Sequence, residues 1–194
     1  METDESEASA SVRAMAESLA RTDGAGVATA SLRFLPLSTS SHKALAAALG
    51  AMPALRSPAL RELDLWATQM SGSLADRVYA PALMAPGCAS LVTVDLGGNA
   101  LGDMGATALA GALASLPALA SLGLARCSIS DAGGSALFAA LLAPSARAYS
   151  SLTHLDLAAN EVGNSAAGAL AAALDPGVAP LRLELVELRD NKIG

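Results

Sequence analysis

A nine-residue frame, Leu-x-x-Leu-x-Leu-x-x-Asn, recurs along this chain and leaves few folds open to it. It reads Leu152-x-x-Leu155-x-Leu157-x-x-Asn160, Leu91-x-x-Val94-x-Leu96-x-x-Asn99, Leu119-x-x-Leu122-x-Leu124-x-x-Cys127 and Leu183-x-x-Val186-x-Leu188-x-x-Asn191. Two looser copies come earlier, Leu32-x-x-Leu35-x-Leu37-x-x-Ser40 and Leu60-x-x-Leu63-x-Leu65-x-x-Thr68. The copies start at residues 32, 60, 91, 119, 152 and 183, at intervals of 28, 31, 28, 33 and 31 residues. One such unit cannot bury its own apolar face, so the copies must stack.

Each position has a physical reason. The alternating Leu and Val positions put one side of a short strand into a core. The Asn, Cys, Thr or Ser at the ninth position stands where the chain turns, and a buried turn needs polar side chains to satisfy its backbone. Two residues later an apolar residue returns: Met70, Leu101, Ile129, Val162, Ile193. Gly72, Asp103, Asp131 and Asn164 follow, and the acids and the amide are expected as helix N-caps. Leu109/Leu113, Leu137/Leu141 and Leu170/Leu174 then lie at i, i+4 and face the strands. Pro81 and Pro86 are expected to shorten or kink the second helix, while Pro53 and Pro58 mark a longer linker before it.

This frame resembles the leucine-rich repeat in its long, ribonuclease-inhibitor-like form. The resemblance implies an α/β solenoid, a curved horseshoe with a parallel sheet on the concave face and helices on the convex face. Strands sit about 4.8 Å apart and helices about 8–10 Å apart, so such a stack must curve. Ala- and Gly-rich helices such as 165–173 predict a shallow arc. The expected organisation is a disordered acidic tail over residues 1–10, a capping helix and linker over 11–26, and about six strand–helix repeats over 27–194. Val12, Met15, Ala16 and Leu19 give the capping helix one apolar face, expected to cover the first strand. The last repeat stops at Gly194, where its helix should begin. Its edge is expected to be continued by further repeats or covered by a partner.

Composition narrows the function. Hydrophobic residues make up 53% of 194 residues, but aromatics only 3%, so the core is built from Ala and Leu. The mean hydropathy of +0.44 comes from Ala-rich helix faces, since no long uninterrupted apolar run is present. A net charge of −6 disfavours nucleic acid and anionic membrane surfaces, which need clustered Lys and Arg. The start Met1–Glu7 is acidic and unlike a signal or transit peptide. Two cysteines, Cys88 and Cys127, are too few for a disulfide scaffold and read as free thiols of a cytoplasmic protein. No phosphate loop, nucleophile elbow or Cys-x-x-Cys is present, so neither enzyme activity nor a cofactor is expected. Gly97–Gly105 imitates a nucleotide loop, but its counterparts Ile129–Gly133 and Val162–Ala166 mark it as the ordinary repeat turn. With only His42 and His154, a zinc site is not expected.

The outward strand positions form the candidate site. The fifth position gives Pro36, Asp64, Asp95, Gly123, Asp156 and Glu187, and the third gives Phe34, Glu62, Thr93, Ser121, His154 and Leu185. Trp66, Arg126, Arg189 and Asp190 follow at the seventh and eighth. The expected protein-binding face is therefore Glu62, Asp64, Trp66, Asp95, Arg126, His154, Asp156, Glu187 and Arg189. Trp and Arg are energetic at interfaces, and an acidic face suits a basic partner. An acidic column also keeps a repeat protein soluble, which is the plainer reading. The resemblance implies a non-enzymatic interaction module or scaffold subunit binding another protein. Its alternatives are a small-GTPase activator similar to the Ran GTPase-activating protein, and the sensor arm of a nucleotide-oligomerisation-type immune receptor. The Ala-rich composition suggests a GC-rich genome such as a green alga's, where by analogy such repeats serve cytoskeletal and ciliary complexes.

Overall fold

The computed structural model describes residues 2–20, 28–52, 60–142, 151–174 and 183–194. The break expected at Thr22–Gly26 and the linker prolines Pro53 and Pro58 lie outside them. Six three-residue strands form one parallel sheet in chain order: β1 (Thr29–Ser31), β2 (Glu62–Asp64), β3 (Thr93–Asp95), β4 (Ser121–Gly123), β5 (His154–Asp156) and β6 (Leu185–Glu187). Their central residues stay in register, Ala30, Leu63, Val94, Leu122, Leu155 and Val186, and the first five are buried. Parallel pairing continues past each strand into the turn, as in Gly98 N–H to Ala125 O and Arg126 N–H to Ala158 O. The helical layer consists of α2 (Thr39–Gly50), α3 (Gly72–Leu74), α4 (Ala80–Leu83), α5 (Gly102–Leu113), α6 (Asp131–Leu142) and α7 (Asn164–Ala173), with α1 (Glu2–Ala20) packed against α2. The fold is an α/β solenoid.

Three expectations about the first segments fail. The helix starts at Glu2 and runs through the stretch read as a disordered tail to residue 10. An acidic sequence suits the positive end of a helix dipole. Val12 and Leu19 are buried as expected, but the helix packs chiefly on α2 rather than on the first strand. The first repeat also begins five residues earlier than its leucines suggest. Ala30 and Leu32, not Leu35 and Leu37, pair in register with Leu63 and Leu65. Phe34 and Pro36 therefore lie in and beyond the turn, not on strand positions.

The turn is held by the ninth-position side chain. Asn160 Oδ1 accepts from the backbone N–H of Cys127 and Ile129, and its Nδ2 donates to the carbonyls of Leu124, Leu157 and Ala158. Asn99 does the same for Thr68, Met70, Leu65, Leu96 and Gly97. Asn191 accepts from Val162 and donates to Leu157, Leu188 and Arg189. Each amide thus satisfies its own turn and the preceding one. Cys127 is the weaker substitute, with its thiol near the carbonyls of Leu96 and Ala125.

The expected N-caps act across repeats instead. Asp103 Oδ1 accepts from Ser130 N and Gly133 N, and Oδ2 from the Ser130 hydroxyl, so it caps α6 rather than its own α5. Asp131 likewise accepts from Gly163 N and Ala166 N at the start of α7. Asn164 exchanges two bonds with Gly194. Ser38, Ser71 and Ser130 cap their own helices, the last through Ala132 N–H to Ser130 Oγ at 3.3 Å. Burial acts to raise the Asp103 carboxyl, but the bonds from Ser130 and Gly133 outweigh it and hold it below the ordinary 3.8.

The leucine pairs Leu109/Leu113 and Leu137/Leu141 are buried, as is Leu170, while Leu174 is 46% exposed because α7 has already ended. Pro81 has its expected effect. The helix widens into a π-turn over Ala75–Tyr79 and stops at Leu83, before Pro86. His42, wholly buried, ties α2 to this segment through Tyr79 OH at 2.9 Å and the Thr68 carbonyl at 3.0 Å.

Asn160→Ala leaves two buried amides and three carbonyls short of a partner. A loss of about 3–5 kcal/mol is expected in urea unfolding. Asp103 contributes stability above its unfolded pKa, and that stability is lost as pH falls through the lower folded value. Asp103→Asn should therefore flatten the acid limb of a stability–pH profile, and an unchanged acid limb would refute the cross-repeat cap.

Candidate functional site

Outward side chains of the sheet stand in columns set by the register. Glu62 lies beside Thr93, Asp64 beside Asp95, and Asp156 beside Glu187. His154 lies beside Leu185 and is exposed, its ring reached by the Thr153 hydroxyl at 2.7 Å. The fifth-position acids have a local reason. Asp64 Oδ1 accepts from Trp66 N, Asp95 Oδ1 from Gly97 N and Asp156 Oδ1 from Ala158 N. Each carboxylate closes a turn two residues on and keeps its second oxygen outward. Gly123, in the same column, has no such group, and Asp95 leans over it: a Cβ there would meet Asp95 Oδ1 at 2.6 Å. Burial raises the Asp95 carboxyl. The Gly97 bond and Arg33 oppose that rise, and Asp64 and Asp156 add to it.

Trp66 lies flat on the next repeat. A Cβ at Gly97 would meet its ring at 2.1 Å, so only glycine leaves room for the indole. On the indole's other side is Arg33, its guanidinium carbon 4.8 Å from the ring centroid. Arg33 Nη1 also reaches Asp64 Oδ2 and Asp95 Oδ2, both at 3.3 Å. Arg33 did not emerge from the sequence because the slipped first frame placed it outside the turn column. In the true register it heads the column that holds Trp66 and Gly97.

Trp66, Arg126, Asp156 and Arg189 line one recess of about 310 Å³, floored by Ala125 and Ala158. Four of the nine expected residues thus meet in one place, and Asp64 and Asp95 meet around Arg33. Glu62 stands at the margin, holding the Thr29 hydroxyl at 3.1 Å. Glu187 and Arg189 touch loosely at 3.9 Å. The cysteines are elsewhere and inert: burial pushes Cys88 up to about 11 and Cys127 up to about 12.

A family model for the leucine-rich repeat matches residues 87–110 and 150–171, which contain the frames ending at Asn99 and Asn160. The two matched stretches are those that hold β3 and β5. No curated protein sequence matches the chain significantly. Among solved structures, internalin C2 from Listeria monocytogenes aligns over 91% of each chain at 15% identity, with a TM-score of 0.34. Leucine-rich repeats generally mediate protein–protein interaction.

Trp66 is the sole tryptophan, so its fluorescence reads the site directly. Gly97→Ala should lift the indole off its floor, shift its emission to longer wavelength and increase acrylamide quenching. The cost in stability should be about 1–3 kcal/mol. Emission unchanged from wild type would contradict the close packing.

Proposed function

We propose that this chain is a non-enzymatic protein-interaction module, a scaffold subunit of a larger cytoplasmic assembly, whose concave sheet face binds a partner with a basic surface. The observation that carries this reading is the pairing of like charges across neighbouring strands, Asp64 beside Asp95 and Asp156 beside Glu187. Like charges directly opposite each other destabilise a sheet. The first pair is relieved by Arg33, and among the described residues the second has only the 3.9 Å contact of Arg189 with Glu187. A basic partner supplies the missing positive charge, and Trp66 beside it supplies apolar contact area. Among the described residues no helix is long and apolar enough to cross a membrane.

The test is capture from native lysate at low and high salt. Wild type is compared with Trp66→Ala combined with Glu62→Lys and Glu187→Lys, changes that leave the turn-closing aspartates intact. A stoichiometric partner is expected, weakened by salt and lost with the triple variant. A partner retained by the variant would move binding off this face. Acceleration of GTP hydrolysis by an isolated small GTPase would select a regulatory role instead.

A further inference from the structure

Five aromatic residues occur in the whole chain, and of the four described, Tyr79 and Phe138 are buried in the core. The other two, Phe34 and Trp66, both face the same guanidinium. Arg33 Cζ lies 5.2 Å from the Phe34 ring centroid and 4.8 Å from that of Trp66. The Oδ1 atoms of Asp64 and Asp95 are committed to the backbone of Trp66 and Gly97. Their Oδ2 atoms converge on Arg33 Nη1, and Asp64 Oδ2 also receives the Ser31 hydroxyl at 3.3 Å. Two ring faces and two fixed carboxylate oxygens around one cation form a cage for a planar guanidinium.

Stability does not account for it. The φ of 62° at Phe34 belongs to the repeat, since Ala67, Gly98, Arg126, Ala159 and Asp190 share a positive φ at the same turn position. Phe34 alone puts a large apolar ring there, 64% exposed, so it gains little burial. The ion pairs of Arg33, itself 41% exposed, contribute little in water. A solvent-facing aromatic at a turn position that the later repeats fill with Ala, Gly, Arg or Asp, beside the sole tryptophan, points to recognition.

We propose that Phe34, Trp66, Asp64 and Asp95 form a binding site for an arginine side chain of a partner, and that the chain's own Arg33 fills it in the unbound state. This deepens the reading of the sheet face as a surface for a basic protein, and it adds regulation: a partner's arginine must displace Arg33. Its apparent affinity is then reduced by the fraction of time the cage stands open.

The test uses N-acetyl-arginine methylamide as the probe, with its neutral isostere N-acetyl-citrulline methylamide as control, and Trp66 fluorescence as the readout. Arg33→Ala should bind the arginine probe saturably, at least about tenfold more tightly than wild type. It should not respond to the citrulline compound. Adding Asp64→Asn and Asp95→Asn, which keep the backbone acceptors, should abolish the response. The same titration on Arg33→Gln guards against a folding defect in the alanine variant. Equal titration of wild type and both Arg33 variants would overturn the self-occupied site. No response in either variant, or equal response to citrulline, would overturn the cage. The probe needs no partner protein, so this titration and the capture experiment succeed or fail separately.

Discussion

A solenoid must turn its backbone back toward the core once per repeat, inside the protein and out of reach of water. A side-chain amide meets that demand at Asn99, Asn160 and Asn191, each supplying one acceptor oxygen and two donor hydrogens to peptide groups of two successive turns. With the turn fixed, the strand before it can be only a few residues long and still stay in register. Register then decides which side chains share a column on the open face. The acids, the indole and the arginines occupy their places because a buried hydrogen-bond ladder behind them leaves no other alignment.

Much of this was legible in the sequence, and what was hidden has physical causes. The ninth-position polar residues and the alternating leucines show because each has one chemical job, repeated at a fixed interval. The outward columns of the later five repeats follow from the period of two alone. The first repeat misleads because Leu32, Leu35 and Leu37 satisfy two registers, and the true inward strand residue is Ala30, too small to announce itself. That slip conceals Arg33 and puts Phe34 on the strand instead of in the turn, and these two residues complete the charged end of the face. The role of Asp103 and Asp131 was half legible: an acid at a helix start caps something, but the sequence does not say whose amides it receives.

The acidic column illustrates how one residue serves two ends. One oxygen of each aspartate closes a turn, which is a structural duty sufficient to explain the Leu-Asp-Leu pattern. The second oxygen is left over on the surface, and because the duty repeats, so does the leftover charge. The electrostatic character of the face is therefore a by-product of the turn before it is anything else. What departs from this by-product is local: an indole on a glycine floor, an arginine across two carboxylates, and an exposed phenylalanine beside them.

The two ladders run in opposite senses. The amides Asn99, Asn160 and Asn191 reach back to finish the turn before them, while the acids Asp103 and Asp131 reach forward to finish the helix after them. Neighbours are joined by a reciprocal exchange, like stitches that each hold the last and receive the next. Such a fabric can grow or shrink only by whole stitches. An insertion of one complete period hands on both threads unbroken, whereas a gain or loss of a few residues within the strand and turn cuts them both. Lengthening by duplication of entire repeats is thus the mode of change that this bonding pattern tolerates.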